Sequence, residues 1–281
     1  MNEKTTGISL VIFTCEGREH LLQKTYESFK NHVDYTFDKV FIAVDGEVDL
    51  AAINYINADC IIQHVKRKGY VNSIKQALKF IETPYFFWLE DDWKFNSPIA
   101  VESYINTLTS NPNWAEIILS KFGPLNQEQK SVRLHDDLYN SIAGFSANPC
   151  FCNTTHLQNA FTELANATKG GVLGEDGFEN FLTKHFLNLR IVCAIEDPVD
   201  HEPITHEGYL ESTPRNWHMT NSLEIKTKEH LMTIPVPSFY NRIKMAVKLT
   251  FTFTRLFVKQ FWINHVYEYC FRIVTSSKNI D

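Results

Sequence analysis

Residues 85–89, Tyr-Phe-Phe-Trp-Leu, are apolar at every position and show no alternation with polar residues. A strand that is apolar on both sides has to be covered on both sides, so it belongs inside a sheet flanked by two layers. Further strand-like runs lie at 8–14 (ISLVIFT), 40–44 (VFIAV), 60–65 (CIIQHV), 116–122 and 190–195, and 145–152 reads as extended but broken by Pro149. Between the runs, helical spacing recurs at 19–32 (Leu21, Leu22, Tyr26, Phe29) and 71–81 (Ile74, Ala77, Leu78, Ile81). It recurs again at 98–108, where Pro98 suits a first turn, and at 155–167 and 178–186. Alternating strands and helices predict an α/β chain whose sheet is mostly parallel and flanked by helices. A chain of 281 residues accommodates one such domain with an appendage.

Three carboxylates, Glu90, Asp91 and Asp92, follow the apolar run directly. In open α/β sheets, ligands bind at the carboxyl ends of strands. Adjacent carboxylates repel one another, and desolvation aggravates the repulsion. A divalent cation, Mg²⁺ or Mn²⁺, relieves both problems and can hold a phosphate opposite the protein oxygens. The triplet therefore predicts a metal–phosphate site with Asp92 as direct ligand, and Asp91 and Glu90 reaching ribose hydroxyls or metal-bound water. A solvated acidic turn is the alternative. Thr14, Glu16 and Asp45 fall at the ends of the first two strands, where a nucleoside would lie, although Glu16 alone reads as a solvated loop residue.

A second acidic pair, Glu175-Asp176, sits among Gly170, Gly171, Gly174 and Gly177. Asp176 and Glu179 have capping-box spacing, so Asp176 reads as a helix cap, as a general base exposed at a helix start, or as both. Two loop histidines, His201 and His206, offer an imidazole to Mn²⁺. The basic run Lys66-Arg67-Lys68 reads as a diphosphate contact or as a solvated loop. It is too short, in too acidic a body, for nucleic-acid binding. Six scattered cysteines in apolar context predict a reducing, cytoplasmic setting.

Taken in order, these motifs resemble the GT-A glycosyltransferases of the family-2 type. TCEGREHLLQKTYESF is similar to that family's first loop and helix, KVFIAVDG to its second strand, and PYFFWLEDDW to its DxD-like metal strand. HVKRKGYVNSIKQALKF resembles the stretch whose Gly and Asn precede the helix leading into that metal strand, and GFSANPCFCNTTHL, GEDGFENFLTKHF and HEGYLEST resemble the family's later segments. The resemblance spans roughly residues 6–210 and implies an enzyme using a nucleoside-diphosphate sugar as donor and a glycan or glycolipid as acceptor. It implies that Thr14, Glu16, Arg18, Asp45, Lys68, Asn72, Glu90 and Asp91 bind the donor. It also implies that Asp92 and His206 hold the metal, and that Asp176, with Glu175, serves as base in an inverting transfer. The chain departs from many relatives in having a single acid, Asp45, before Gly46, and in beginning the triplet with Glu. The rival readings are a nucleotidyltransferase on a similar sheet and a non-catalytic sugar-binding or scaffold relative. The first favours a glycine-rich basic loop after strand one, where this chain has TCEGREH. Retention of both acidic clusters argues against the second.

Prolines 198, 203, 214, 235 and 237 break the pattern after the last strand. We therefore expect a catalytic domain at 1–215, a linker at 216–237 and a helical extension at 238–281. The net charge of −6 is uneven: 238–281 carries seven Lys/Arg against two acids, a net of +5, which leaves −11 for the rest. Lys244, Lys248, Arg255 and Lys259 fall within an arc of roughly 60° on a helix, opposite Leu249, Phe253, Leu256 and Phe257. That face suits an anionic membrane surface, such as the inner face of a membrane in surface-polysaccharide or lipopolysaccharide synthesis. Packing on the catalytic domain or on a second copy, as a homo-oligomer, is the alternative. Pelleting with anionic liposomes should retain the full chain and lose a 1–237 form; equal pelleting would remove the membrane role.

Overall fold

The computed structural model describes residues 7–119, 123–167, 177–198 and 201–207. All belong to the first of the chain's two units, Met1–Leu231. The expected linker and tail, and both Glu175 and Asp176, lie outside the described residues.

The first half alternates as the sequence predicts: β1 (Ile8–Cys15), α1 (Glu19–His32), β2 (Lys39–Asp45), α2 (Leu50–Ile53), β3 (Cys60–Ile62), α3 (Tyr70–Leu78) and β4 (Tyr85–Glu90). There follow β5 (Trp93–Phe95), α4 (Val101–Ser110), β6 (Trp114–Ile118), β7 (Arg133–His135), β8 (Leu138–Asn140) and β9 (Cys150–Asn153). The described elements end with α5 (Thr154–Ala167), α6 (Gly177–Leu189), β10 (Val192–Glu196) and β11 (Ile204–His206). Nine strands form one sheet in the order β3-β2-β1-β4-β9-β6-β10-β8-β7. Following the ladders across it, seven strands point one way, and β8 and β9 oppose them. The second sheet is the antiparallel ribbon β5-β11.

Strand alternation explains the apolar runs. Ile8, Leu10 and Ile12 of β1, with Tyr85, Phe87 and Leu89 of β4, join the core layer that includes Leu22 and Phe29 of α1 and Leu108 of α4. Val11, Phe13, Phe86 and Trp88 face the opposite layer, with Ile74 of α3, Phe161 of α5 and Phe178 of α6. Each central strand is thus sealed on both sides.

Several boundaries differ from expectation for local reasons. The third strand ends at Ile62 rather than residue 65, because the His64 amide turns to the Gly46 carbonyl. The fourth helix starts at Val101 rather than Pro98, because the Ile99 amide binds the His32 carbonyl at the end of α1. β10 starts at Val192, after Arg190 takes a left-handed φ of 57°. Extended pairing around Pro149 is confined to Cys150–Asn153, while the Phe145 amide binds the Thr183 hydroxyl. The ribbon β5-β11 and the hairpin β7-β8 were not anticipated, being strands of three residues each.

One row of polar side chains crosses this core. Cys193, Glu116 and Cys152 are paired in register on β10, β6 and β9, and the Cys150 and Cys152 sulfurs lie 3.4 Å apart. Glu116 is wholly buried and accepts from the Ser146 amide at 3.1 Å. Glu116, Cys150 and Cys152 are close enough to surround a metal ion. Burial, however, raises the Glu116 carboxyl and the Cys150 and Cys193 thiols well above their ordinary values. Without an ion bound, burial therefore favours the neutral forms of these groups. Glu116 then opposes folding above its ordinary carboxyl value of 4.5, where the unfolded chain gains by ionising and the native chain does not. Glu116→Gln should raise the unfolding midpoint at pH 8 by about 2–4 °C, the shift that ~1 kcal/mol gives a domain of this size. The gap should close below pH ~4; a midpoint unchanged at every pH would contradict the assignment.

Candidate active site

The parallel registers bring three strand ends to one edge. Cys15 of β1 lies opposite Asp45 of β2, and Phe13 of β1 opposite Glu90 of β4. Asp91 and Asp92 form the turn between β4 and β5. The ribbon then returns His206 to this turn: Trp93 pairs with His206, and the Glu207 amide binds the Asp92 carbonyl at 2.8 Å. Helix α1 anchors the ribbon with polar side chains. Thr25 Oγ1 accepts from the Trp93 amide at 3.0 Å, and Ser28 Oγ from the Phe95 amide at 3.2 Å.

The three carboxylates diverge. Glu90 lies on the α3 side of β4, where it accepts from the Tyr70 hydroxyl and, at 3.4 Å, from Trp93 Nε1. Burial, with the nearby Asp92 charge, raises its carboxyl above the usual range. Asp91 accepts from Thr14 Oγ1 at 2.6 Å and from Arg18 Nη2 at 2.8 Å. Burial raises its carboxyl too, and Arg18 opposes the rise. Asp92 accepts from the same Arg18 nitrogen at 2.6 Å and from His206 Nε2 at 3.2 Å. Burial works against its ionisation, but the His206 hydrogen bond and the charges of Arg18 and His206 prevail and hold it below the usual range. The His206 ring packs on Trp93, with centroids 4.7 Å apart.

Asp45 is 2% exposed, and its carboxylate faces its own protein. It accepts from the Lys68 and Gly69 amides at 2.7 and 2.9 Å and from Arg67 Nε at 3.5 Å. It therefore clamps the loop leading into α3. Asn72 caps the same turn by donating to the Lys68 carbonyl at 2.6 Å, while the Lys68 side chain is exposed. Gly46 has φ +109°, and a Cβ there would fall 2.8 Å from Glu16 Cβ and 2.9 Å from Arg67 Cγ. Glycine thus lets Glu16 and Arg67 close over the end of β2. Burial pushes the neighbouring Cys15 thiol up to about 12, so this edge offers no thiolate.

The structure therefore assembles Thr14, Arg18, Asp91, Asp92 and His206, places Glu90 on the opposite face of β4, and commits Asp45 to the loop. Tyr70 and Trp93, which hold Glu90, escaped the sequence reading; a tyrosine directly after Gly69 and an aromatic directly after three acids were the available signals. The donor set suits a hard or borderline divalent cation: carboxylate oxygens, one imidazole, and an Asp92 Oδ1 that is buried without a hydrogen-bond partner.

No protein-family model matches this sequence, and no curated protein matches it. Solved structures do. GalNAc-T7 with UDP, GalNAc and Mn²⁺ aligns with 78% of the chain at 14% identity and a TM-score of 0.51. S. aureus TarS 1–349 in complex with UDP aligns with 80% of the chain and 68% of its own, at 12% identity and a TM-score of 0.49. The mannosyltransferase PcManGT from Pyrobaculum calidifontis, with GDP-Man and Mn²⁺, aligns with 68% of the chain and 55% of its own, at 13% identity and a TM-score of 0.47. The chain spans about half the length of GalNAc-T7, 48%. At these identities the likeness is one of architecture: the chain has the GT-A fold.

Proposed function

We propose that the chain is a metal-dependent glycosyltransferase that moves a sugar from a nucleoside diphosphate to a saccharide or lipid-linked acceptor. The observation that carries this reading is the convergence of Asp91, Asp92, Arg18 and His206 at the carboxyl edge of a GT-A sheet, with one Asp92 oxygen buried and unpartnered. GalNAc-T7, solved with UDP, GalNAc and Mn²⁺, offers the parallel for the donor class.

Asp92 and His206 would hold Mn²⁺ or Mg²⁺, which when bound offsets the charge of the departing diphosphate. Arg18, at the start of α1, and the exposed Lys68 would neutralise the phosphates, and Thr14 and Asp91 would shape the nucleoside crevice. The acidic motif before α6 supplies the base. Asp176 would take the proton of an acceptor hydroxyl as its oxygen bonds to the anomeric carbon and the bond from that carbon to the phosphate oxygen breaks, inverting the centre. Glu175 would support that role. The acidic body and basic residues 238–281 suit work beside an anionic cytoplasmic membrane surface in surface-glycan assembly. Among the described residues, no helix is long and apolar enough to cross a membrane.

A thermal-shift screen of UDP- and GDP-sugars with and without Mn²⁺ should give at least one metal-dependent stabilisation; silence across the screen would oppose the reading. Asp176→Asn should reduce turnover by at least the 10²–10⁴-fold that acid–base catalysis contributes, about two orders or more, while keeping nucleotide binding. Turnover that survives the change would move the base elsewhere.

A further inference from the structure

Arg18 is held in an unusual way for a structural ion pair. A single nitrogen, Nη2, bridges Asp91 Oδ1 at 2.8 Å and Asp92 Oδ2 at 2.6 Å. Among the described residues, its Nε is buried without a hydrogen-bond partner, and so is Asp92 Oδ1. A guanidinium paired for stability satisfies both arms of its fork and both oxygens of its partner. Here each side keeps an unfilled contact, and the cation sits between two adjacent carboxylates. The arginine side chain is 24% exposed, so it has a route outward, whereas Asp91 and Asp92 are 6% and 8% exposed.

We infer that Arg18 is an internal counter-cation for the metal site, displaced from Asp92 when a divalent ion is held there and received by the diphosphate of the donor. The inference rests on the metal–phosphate reading above. Arginine keeps its charge at any accessible pH, so its repulsion of a second cation is relieved only by movement. A diphosphate offers paired anionic oxygens that match both arms of the planar guanidinium. Cation and nucleotide then help each other to bind, because each removes what opposes the other, and the coupling is reciprocal. Free of nucleotide, the protein holds its carboxylates neutralised and its metal affinity low.

The test is Mn²⁺ titration of the full chain, with free ion read by electron paramagnetic resonance, for wild type, Arg18→Gln, Arg18→Lys and Asp92→Asn, each checked for folding by circular dichroism. Without nucleotide, Arg18→Gln should bind Mn²⁺ about tenfold more tightly than wild type, a typical coupling. Arg18→Lys, a cation too short to bridge both carboxylates, should gain less, and it decides the matter should the glutamine variant fail to fold. UDP or GDP should tighten Mn²⁺ binding by wild type more than by Arg18→Gln. Equal or weaker Mn²⁺ affinity in the Arg18 variants overturns the inference and leaves the metal site standing. Mn²⁺ binding that Asp92→Asn does not weaken, or no binding by any form with or without nucleotide, overturns the metal site and the inference together.

Discussion

Three consecutive carboxylates at the mouth of a dry strand set the terms for everything around them. Left together, they would repel one another in a medium that screens poorly. The fold separates Glu90, the last residue of β4, from Asp91 and Asp92 in the turn that follows. Glu90 goes to the α3 side, where Tyr70 and Trp93 bind it and burial favours its neutral form. Asp91 and Asp92 turn toward the loop after β1, where Arg18 supplies the opposing charge. One acid is thus held by two neutral donors, and two by the arginine between them.

That division depends on packing some distance from the charges. Asp92 is fixed because the ribbon β5-β11 is fixed. The ribbon, in turn, rests on α1 through Thr25 and Ser28 and on Phe29, whose ring lies 5.3 Å from that of Phe95. The same helix begins at Arg18 and buries Leu21, Leu22 and Phe29 against the sheet. A single helix therefore carries the counter-cation at one end and the support for the acid and imidazole along its side. Its polar positions at Thr25 and Ser28 interrupt an otherwise apolar face because they meet backbone amides of β5 there.

The order of strands and helices through β4 was legible because long apolar runs and 3.6-residue spacing are strong local signals. The acids, Thr14, Arg18 and His206 were legible as residue types at the ends of elements, and the resemblance to GT-A enzymes gave them an order. What the residues alone did not carry was the pairing of short segments. Nothing local in Ile204–His206 reveals that it lies against Trp93–Phe95, since a strand of three residues has no period to read and its partner is far off in sequence. The fate of Asp45 was hidden for the same reason. Its ligands are two backbone amides, and amides leave no mark in a sequence.

Asp45 is committed to its own chain. Its Oδ1 is occupied by the Lys68 and Gly69 amides and its Oδ2 faces Arg67, so neither oxygen is an open carboxylate. Opening the loop would exchange these pairings for water, at a net loss of about 1.5–3 kcal/mol for each hydrogen bond to the charged carboxylate. The loop therefore belongs to the framework. Asp45 shapes this edge by holding Arg67 beside Gly46 and by binding the amides that lead into α3, from which Tyr70 reaches back to Glu90. The acid at the end of β2 and the acid that closes β4 thus belong to one structural unit around α3, while Asp91 and Asp92 share the arginine between them.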